Sequence, residues 1–339
     1  MSVRRCFRDL IEAPELLVLP GVYDGLSARI AEASRFDALV AGGNAAVGSM
    51  LGGPDIGQSN MRDYAEHYAR ICAAVEIPVT VDADTGFGDV LNVRQTVRAL
   101  EAGGVAGLMI SDQVFPNRCG YMPGKDVIDS APMVAKIKAA LDARRDGDLV
   151  IMARTDAAAV NGLDDAIERC QIFLEAGADI ARPQGVDTPE AIARVIREVP
   201  CPFIGIMSQA AGRARLSFAD LAALGVAGVT LPTLAIFAAA QAVSRVMRQV
   251  RRENGLDGVA DALMPLDEYY ELVGLEGERA AEQQYHDAGL QLVGAFRSPR
   301  DAGMGSTGRD GRHGLRGEGP ASPAPAAPKS KTAADAAST

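Results

Sequence analysis

Two aspartates one residue apart, in the stretch VDADTGFGD, form the most pointed chemical pattern of this 339-residue sequence. Asp82 and Asp84 close a run of apolar residues, IPVTVDAD at 77–84. On an extended strand, residues two apart face the same side. Like charges so placed repel, and a divalent cation removes that cost. Hard carboxylate oxygens, with water completing the shell, suit Mg2+ and equally Mn2+. The same spacing also suits a turn in which one aspartate caps the following helix. Arg154 ends a second apolar run, LVIMA. Its planar fork matches a substrate carboxylate or phosphate. An ion pair with a neighbouring carboxylate such as Asp156 is the alternative.

Cys119 stands apart from any apolar run, within SDQVFPNRCGYMPGK. Arg118 precedes it and Lys125 follows, a setting that favours a thiolate. The surrounding segment, about 114–130, is long and rich in Gly and Pro, as expected of a lid. Cys72, Cys170 and Cys201 read as small buried hydrophobes. His67 falls in a helical stretch and His286 near the end of the apolar pattern, so a Cys–His dyad is poorly supported. A thiol acting as a general acid or base fits better.

These groups need a frame that brings strand ends together. Eight apolar runs recur, at 16–21, 37–43, 77–84, 104–112, 148–156, 178–184, 202–207 and 225–232. They are near-continuous rather than alternating, as for parallel strands covered on both faces. Amphipathic helical segments lie between them, and LDDAIERCQIFLEAGAD opens with the acids of a first helical turn. Gly103, Gly177 and Gly225 sit where a left-handed residue ends a helix. The pattern indicates an α/β fold, a (β/α)8 TIM barrel. A doubly wound open sheet is the runner-up, but no GxGxxG follows the first strand. A barrel places its site at the C-terminal ends of the strands: Gly42 and Gly43, Asp82 and Asp84, Ser111, Arg154, Arg182 and Gln184.

The net charge of −10 speaks against nucleic-acid and anionic-membrane partners. Five cysteines without a CxxC pair fit a reducing cytoplasm. MSVRRCFRDLIEAPELLVLPG lacks the apolar core of a signal peptide, and no run approaches a membrane span. We read 1–14 as an N-terminal extension, 15–297 as the barrel with C-terminal helices, and the Gly/Ala/Pro-rich 298–339 as a disordered tail.

VDADTGFGD, SDQVFPNRCGYMPGK, IMARTDA, PGVYDGLSARIAEASRFDALVAGG and GGPDIG together resemble the signature blocks of the isocitrate lyase/phosphoenolpyruvate mutase superfamily, across about residues 15–260. The resemblance implies Mg2+ dependence, a small α-oxy or α-keto acid as substrate, and a homotetramer whose C-terminal helix is exchanged between subunits. By motif match, Asp82 and Asp84 are metal-site residues and Asp55 lies near the metal. Cys119 and Gly120 are the lid pair whose thiol protonates a carbanion, and Arg154 binds a carboxylate. Cys119 favours the lyase branch over phosphonopyruvate enzymes, which usually carry Asn there.

The chain departs from that pattern at several places. Ser111 stands for a Glu, Ala41 for a Ser, Gln184 for a Glu or His, and Tyr121 for a His. An Asn near Ile206 and an Arg near Phe237, present in 2-methylisocitrate lyases, are missing. The implied activity is Mg2+-dependent carbon–carbon cleavage of a substituted malate-like 2-hydroxy acid. Rival activities are a carboxyphosphonoenolpyruvate mutase-like or phosphonate hydrolase reaction, and an oxaloacetate decarboxylase or hydrolase. A further rival is a binding protein of the family with altered catalysis.

Overall fold

The computed structural model describes residues 2–207 and 216–297. Each of the eight apolar runs contains one strand. They are β1 (Leu17–Pro20), β2 (Leu39–Ala41), β3 (Val79–Asp82), β4 (Gly107–Ser111), β5 (Val150–Thr155), β6 (Ile180–Pro183), β7 (Ile204–Ile206) and β8 (Gly228–Leu231). The helices are α1 (Val3–Glu12), α2 (Gly25–Ala33), α3 (Gly43–Leu51), α4 (Met61–Cys72), α5 (Val90–Ala102), α6 (Ser130–Ala143) and α7 (Ala157–Val160). They continue with α8 (Leu163–Glu175), α9 (Pro189–Glu198), α10 (Phe218–Ala223), α11 (Leu234–Glu253), α12 (Leu266–Leu272) and α13 (Leu275–Arg297).

Every strand pairing is parallel, in the orders β2-β3-β4-β5-β6 and β1-β8-β7. A bridge between Gly21 and Val40 joins β1 to β2. Between β6 and β7 the seam is spanned by side chains. Arg182 Nη1 donates to Ile204 O at 3.1 Å, and Cys201 Sγ to Ala181 O at 3.5 Å. The fold is the (β/α)8 barrel that the eight-fold pattern predicts.

Alternation along the strands sorts the side chains into two cores. Ile151, Ala153 and Ala181 join the outer layer packed against the helices. Leu17, Leu19, Val150, Met152, Ile180 and Ile204 fill the barrel interior, with Phe7 and Ile11 of α1 packed among them. The segment 1–14 thus holds a helix whose two buried residues close the N-terminal mouth of the barrel. Arg8 fastens it, its Nη2 lying 2.8 Å from Asp179. Higher in the same interior, Asp82, Ser111, Arg154 and Arg182 replace the apolar side chains, and there the chemistry lies.

Local signals explain the helix ends. Asp89 caps α5 in a reciprocal box with Asn92, and Asp164 and Asp165 occupy the first turn of α8. Gly177 and Gly225 are left-handed, with φ of 104° and 83°. At the end of α5 the left-handed residue is Gly104, φ 90°, and Gly103 keeps helical geometry. The second glycine of the Gly-Gly pair takes that role because the helix runs one residue further than the sequence pattern implies.

The chain divides into two compact units, 1–278 and 279–339. In the first, α11 buries none of its residues and exposes Leu234, Phe237, Val243 and Met247. The described part of the second is the remainder of α13. The tail expected to be disordered, 298–339, lies outside the described residues. No described helix is long and apolar enough to cross a membrane.

Candidate active site

One cavity at the C-terminal end of the barrel gathers Gly42, Gly43, Asp55, Asp82, Asp84, Cys119, Gly120, Arg154 and Gln184. All the residues singled out from the sequence therefore share a single space, although they span more than 140 positions.

The acidic corner is built by β3 and the turn after it. Asp82 ends the strand, and Asp84 lies beyond it with φ 47°. Their shared side is a product of this left-handed turn, not of strand alternation as the spacing suggests. Asp82 Oδ1 accepts from the Asp84 backbone N–H at 3.0 Å, closing the turn. The helix cap is a different residue, Asp89. A methyl group placed on Gly43 would sit 3.1 Å from Asp84 Oδ1 and 3.3 Å from Asp82 Oδ2. Both carboxylates thus reach the space in front of Gly43, where a side chain would crowd them. Tyr64 Oη faces the same spot at 3.1 Å, and among the described residues Asp55 Oδ1 has no hydrogen-bond partner.

The charge of Arg154 compensates these acids only in part. Asp55 and Asp84 are buried, and among the described residues neither forms an ion pair. Burial, then the charge of Asp82, pushes the Asp55 carboxyl up to about 6. Burial, reinforced by Asp82 and Asp55, holds Asp84 well above the usual carboxylate range. A divalent cation fits such a corner. Among the described residues no three acidic, histidine or cysteine side chains converge as a direct ligand cluster. That suits a hard ion which keeps several waters.

The β4–α6 loop lies over the cavity. Cys119 N–H donates to Asp55 O at 3.1 Å, and Met122 N–H to Cys119 O at 2.8 Å. Gln113 clasps the loop from both sides: its Oε1 accepts from Arg118 N–H at 2.9 Å and its Nε2 donates to Arg118 O at 3.0 Å. Gly120 rests on Arg154 and Gln184, so closely that a Cβ would come within 2.6 Å of Arg154 Nη2 and 2.7 Å of Gln184 Nε2. Lys125 latches the loop. Its Nζ donates to Gly120 O and lies 3.1 Å from Asp156 Oδ1.

The basic neighbours of the thiol have hydrogen-bonding partners of their own. Arg118 Nη1 donates to Pro123 O, and Lys125 pairs with Asp156, so both basic neighbours in sequence are engaged by oxygen acceptors. Arg154 lines the same cavity as Cys119. Both cations are drawn off by stronger acceptors: a buried carboxylate for Lys125 and a loop carbonyl for Arg118.

Arg154 pairs with Asp156, as one of its two sequence readings proposes. Nη2 donates to Oδ1 at 3.0 Å, and Nε lies 2.8 Å from Oδ2, off the angle of a hydrogen bond. Burial works against the arginine's charge, but Asp156, Asp82 and Cys119 outweigh it and raise its pKa. Burial likewise opposes the Asp156 charge, yet Arg154 and Lys125 hold its carboxyl below the usual range. Ser111 donates to Asp156 Oδ2 at 3.3 Å. Asp112 faces away from this cavity and braces β5, accepting from Thr155 Oγ1 at 2.7 Å, Asp156 N–H at 3.0 Å and Arg169 at 3.2 Å. Sequence reasoning assigns no site role to Lys125 as a latch or to Tyr64. Arg182 is read from the sequence only as a charged residue ending strand six, two before Gln184 and therefore on the same inner face.

Residues 7–251 match the family model described as phosphoenolpyruvate phosphomutase. The 2-methylisocitrate lyase of Aeropyrum pernix is 38% identical over 293 residues, 86% of this chain and 94% of that protein. The 2,3-dimethylmalate lyase of Eubacterium barkeri is 35% identical over 285 residues, 84% of this chain and 99% of that protein. A crystal structure of a phosphonopyruvate hydrolase in complex with oxalate and Mg2+ superposes with a TM-score of 0.76 at 30% identity, covering 84% of this chain and 99% of the hydrolase. With its barrel, its paired aspartates and its cysteine-bearing loop, this chain belongs to the phosphoenolpyruvate mutase/isocitrate lyase superfamily.

Proposed function

We propose that this chain is a Mg2+-dependent carbon–carbon lyase that cleaves a substituted malate-like 2-hydroxy acid into an α-keto acid and a carboxylate. The observation that carries the reading is the loop that sets Cys119 on the cavity shared by Asp82 and Asp84. Two relatives bearing lyase names, matched over more than four-fifths of this chain, support the class of reaction.

In this reading Asp82 and Asp84 hold Mg2+ (or Mn2+) together with waters. When bound, such an ion polarises the oxygens of an α-oxy acid and stabilises negative charge on them. Arg154 keeps N–H groups beyond those used by Asp156 and binds the substrate carboxylate. The N-terminus of α3, at Gly42 and Gly43, has no side-chain cap and adds backbone N–H groups. Asp55, whose Oδ1 has no partner among the described residues, accepts the 2-hydroxyl proton. The C2–C3 bond then breaks, its electron pair remaining on C3, and the hydroxyl carbon becomes the carbonyl of the α-keto acid. Cys119 gives its proton to C3 and completes the carboxylate product. Gly120 and Gln184 line the same space and contact the substrate once the loop is down. Closure excludes water, which would otherwise quench the carbanion without control.

The exposed apolar side chains of α11 support a homotetramer in which C-terminal helices pack on neighbouring subunits. The test of the activity is product analysis with Mg2+ and, separately, 2,3-dimethylmalate, oxaloacetate and phosphonopyruvate. An α-keto acid and a carboxylate from dimethylmalate support the lyase. Turnover of phosphonopyruvate or oxaloacetate alone overturns it in favour of hydrolytic or mutase chemistry.

A further inference from the structure

Arg182 belongs to the wall of the cavity but takes no part in the steps above. Strand register puts Ser111 beside Arg154 and Arg154 beside Arg182, so these residues form one inward row across β4, β5 and β6. Adjacent strands lie about 4.8 Å apart, which sets two guanidinium groups side by side. Arg182 is only 2% exposed.

The charges along this row do not balance. Asp156 serves both Arg154 and Lys125. Among the described residues no carboxylate lies within ion-pair distance of Arg182. Its Nη1 is used by Ile204 O and its Nη2 by Gln184 Oε1 at 2.9 Å, while Nε is buried without a partner. A guanidinium only donates, so the Gln184 atom facing it is the amide oxygen. The amide nitrogen of Gln184 is thereby turned toward Gly120 and the lid. The β5–β6 wall therefore offers donors and two arginines, of which Arg154 has Asp156 at ion-pair distance while Arg182 feels Asp156 and Asp82 only from further off. Burying a guanidinium without an ion-pair partner is costly unless an anion arrives to meet it. Burial, and then Arg154, lower the Arg182 pKa to about 10, which leaves it charged at neutral pH.

We infer that Arg182 anchors a second anionic group of the substrate, making the site selective for 2-oxy dicarboxylates over the matching monocarboxylates. This rests on the proposed function for the orientation of the ligand. One carboxylate and the 2-oxygen belong to the acidic corner and Arg154, and the far carboxylate reaches Arg182 and the Gln184 amide. The competing role is purely structural, since Arg182 also ties β6 to β7 through Ile204.

The experiment is calorimetric titration of the full chain, loaded with Mg2+, using oxalate, malate and 2-hydroxybutyrate as probes. The last two differ by one carboxylate in place of a methyl group. A charge-assisted anchor predicts that malate binds about 10- to 100-fold more tightly than 2-hydroxybutyrate. Arg182→Met should erase that preference and leave oxalate binding within about threefold, whereas Arg182→Lys should retain part of it. Equal weakening of all three probes in Arg182→Met, or a preference that survives the substitution, overturns the inference in favour of the strut. Absence of a preference in the unsubstituted protein overturns it even if Arg182→Met does not fold. Failure of oxalate to bind with Mg2+ counts against the metal-site reading alone, because the malate preference can still be measured without the ion.

Discussion

Replacing Lys125 with methionine should release the lid while leaving the barrel intact. The side chain is 7% exposed and its partner Asp156 fully buried, so the pair is shielded from solvent. Removing one member of a buried pair costs about 3–5 kcal/mol when the other charge is stranded. Here Asp156 keeps Arg154 at 2.8 Å and Ser111 at 3.3 Å, so it is not stranded. The loss is closer to that of one charge-assisted hydrogen bond, about 2 kcal/mol. Because Lys125 also holds Gly120 O, the loss falls on loop closure and not on the strands. At 1.4 kcal/mol per tenfold, the closed loop becomes about 30-fold less favoured. Amide hydrogen exchange reads this directly. Protection of the Cys119 and Met122 N–H groups should fall by about that factor, while amides in β4 and β5 stay unchanged. Turnover should fall in step if closure gates the chemistry. The reasoning is refuted if protection in the loop is unaltered, or if β4 and β5 lose protection to the same degree.

Cys119→Ala should cut turnover by roughly 10²–10⁴ with Mg2+ and oxalate binding intact, and unchanged turnover excludes the thiol as proton donor. Gly120→Ala should leave the thermal midpoint nearly unchanged but suppress turnover, since its methyl meets Arg154 Nη2 at 2.6 Å when the loop is down; full activity would show that the loop closes differently. The Asp55 carboxyl, raised to about 6, binds its proton more tightly in the folded chain. Stability from this group is complete below the ordinary carboxylate value and is lost as pH rises through about 6, with Asp84 acting in the same direction. Added Mg2+ should therefore raise the melting temperature strongly at neutral pH and weakly below about pH 5, and a pH-independent effect would contradict the partly compensated acids. Phe7→Ala should cost about 3–5 kcal/mol, read as a shift in the urea midpoint, because its ring is fully buried among interior strand residues.

The barrel was readable because buried parallel strands leave unbroken apolar runs, and glycines punctuate the helix ends. The site was readable where a charged residue interrupts such a run, as at Asp82 and Arg154. What stayed hidden depends on where long side chains go after they leave the backbone. Arg118 and Lys125 flank Cys119 in sequence, yet each finds a better acceptor elsewhere. Asp84 reaches the same space as Asp82 through a left-handed residue that no strand periodicity encodes. The helix in the first dozen residues was missed because its apolar positions are few and make sense only against the floor of the barrel.

That floor has a consequence for how the chain is made. Helix α1 is synthesised well before its partners: Arg4 finds Asp146, and Arg8 finds Asp148 O and Asp179, only after more than 130 further residues have followed. Until then Phe7 and Ile11 have nothing to cover them. A nascent chain so arranged carries its stopper loose during synthesis, and closing the bottle must be a late event.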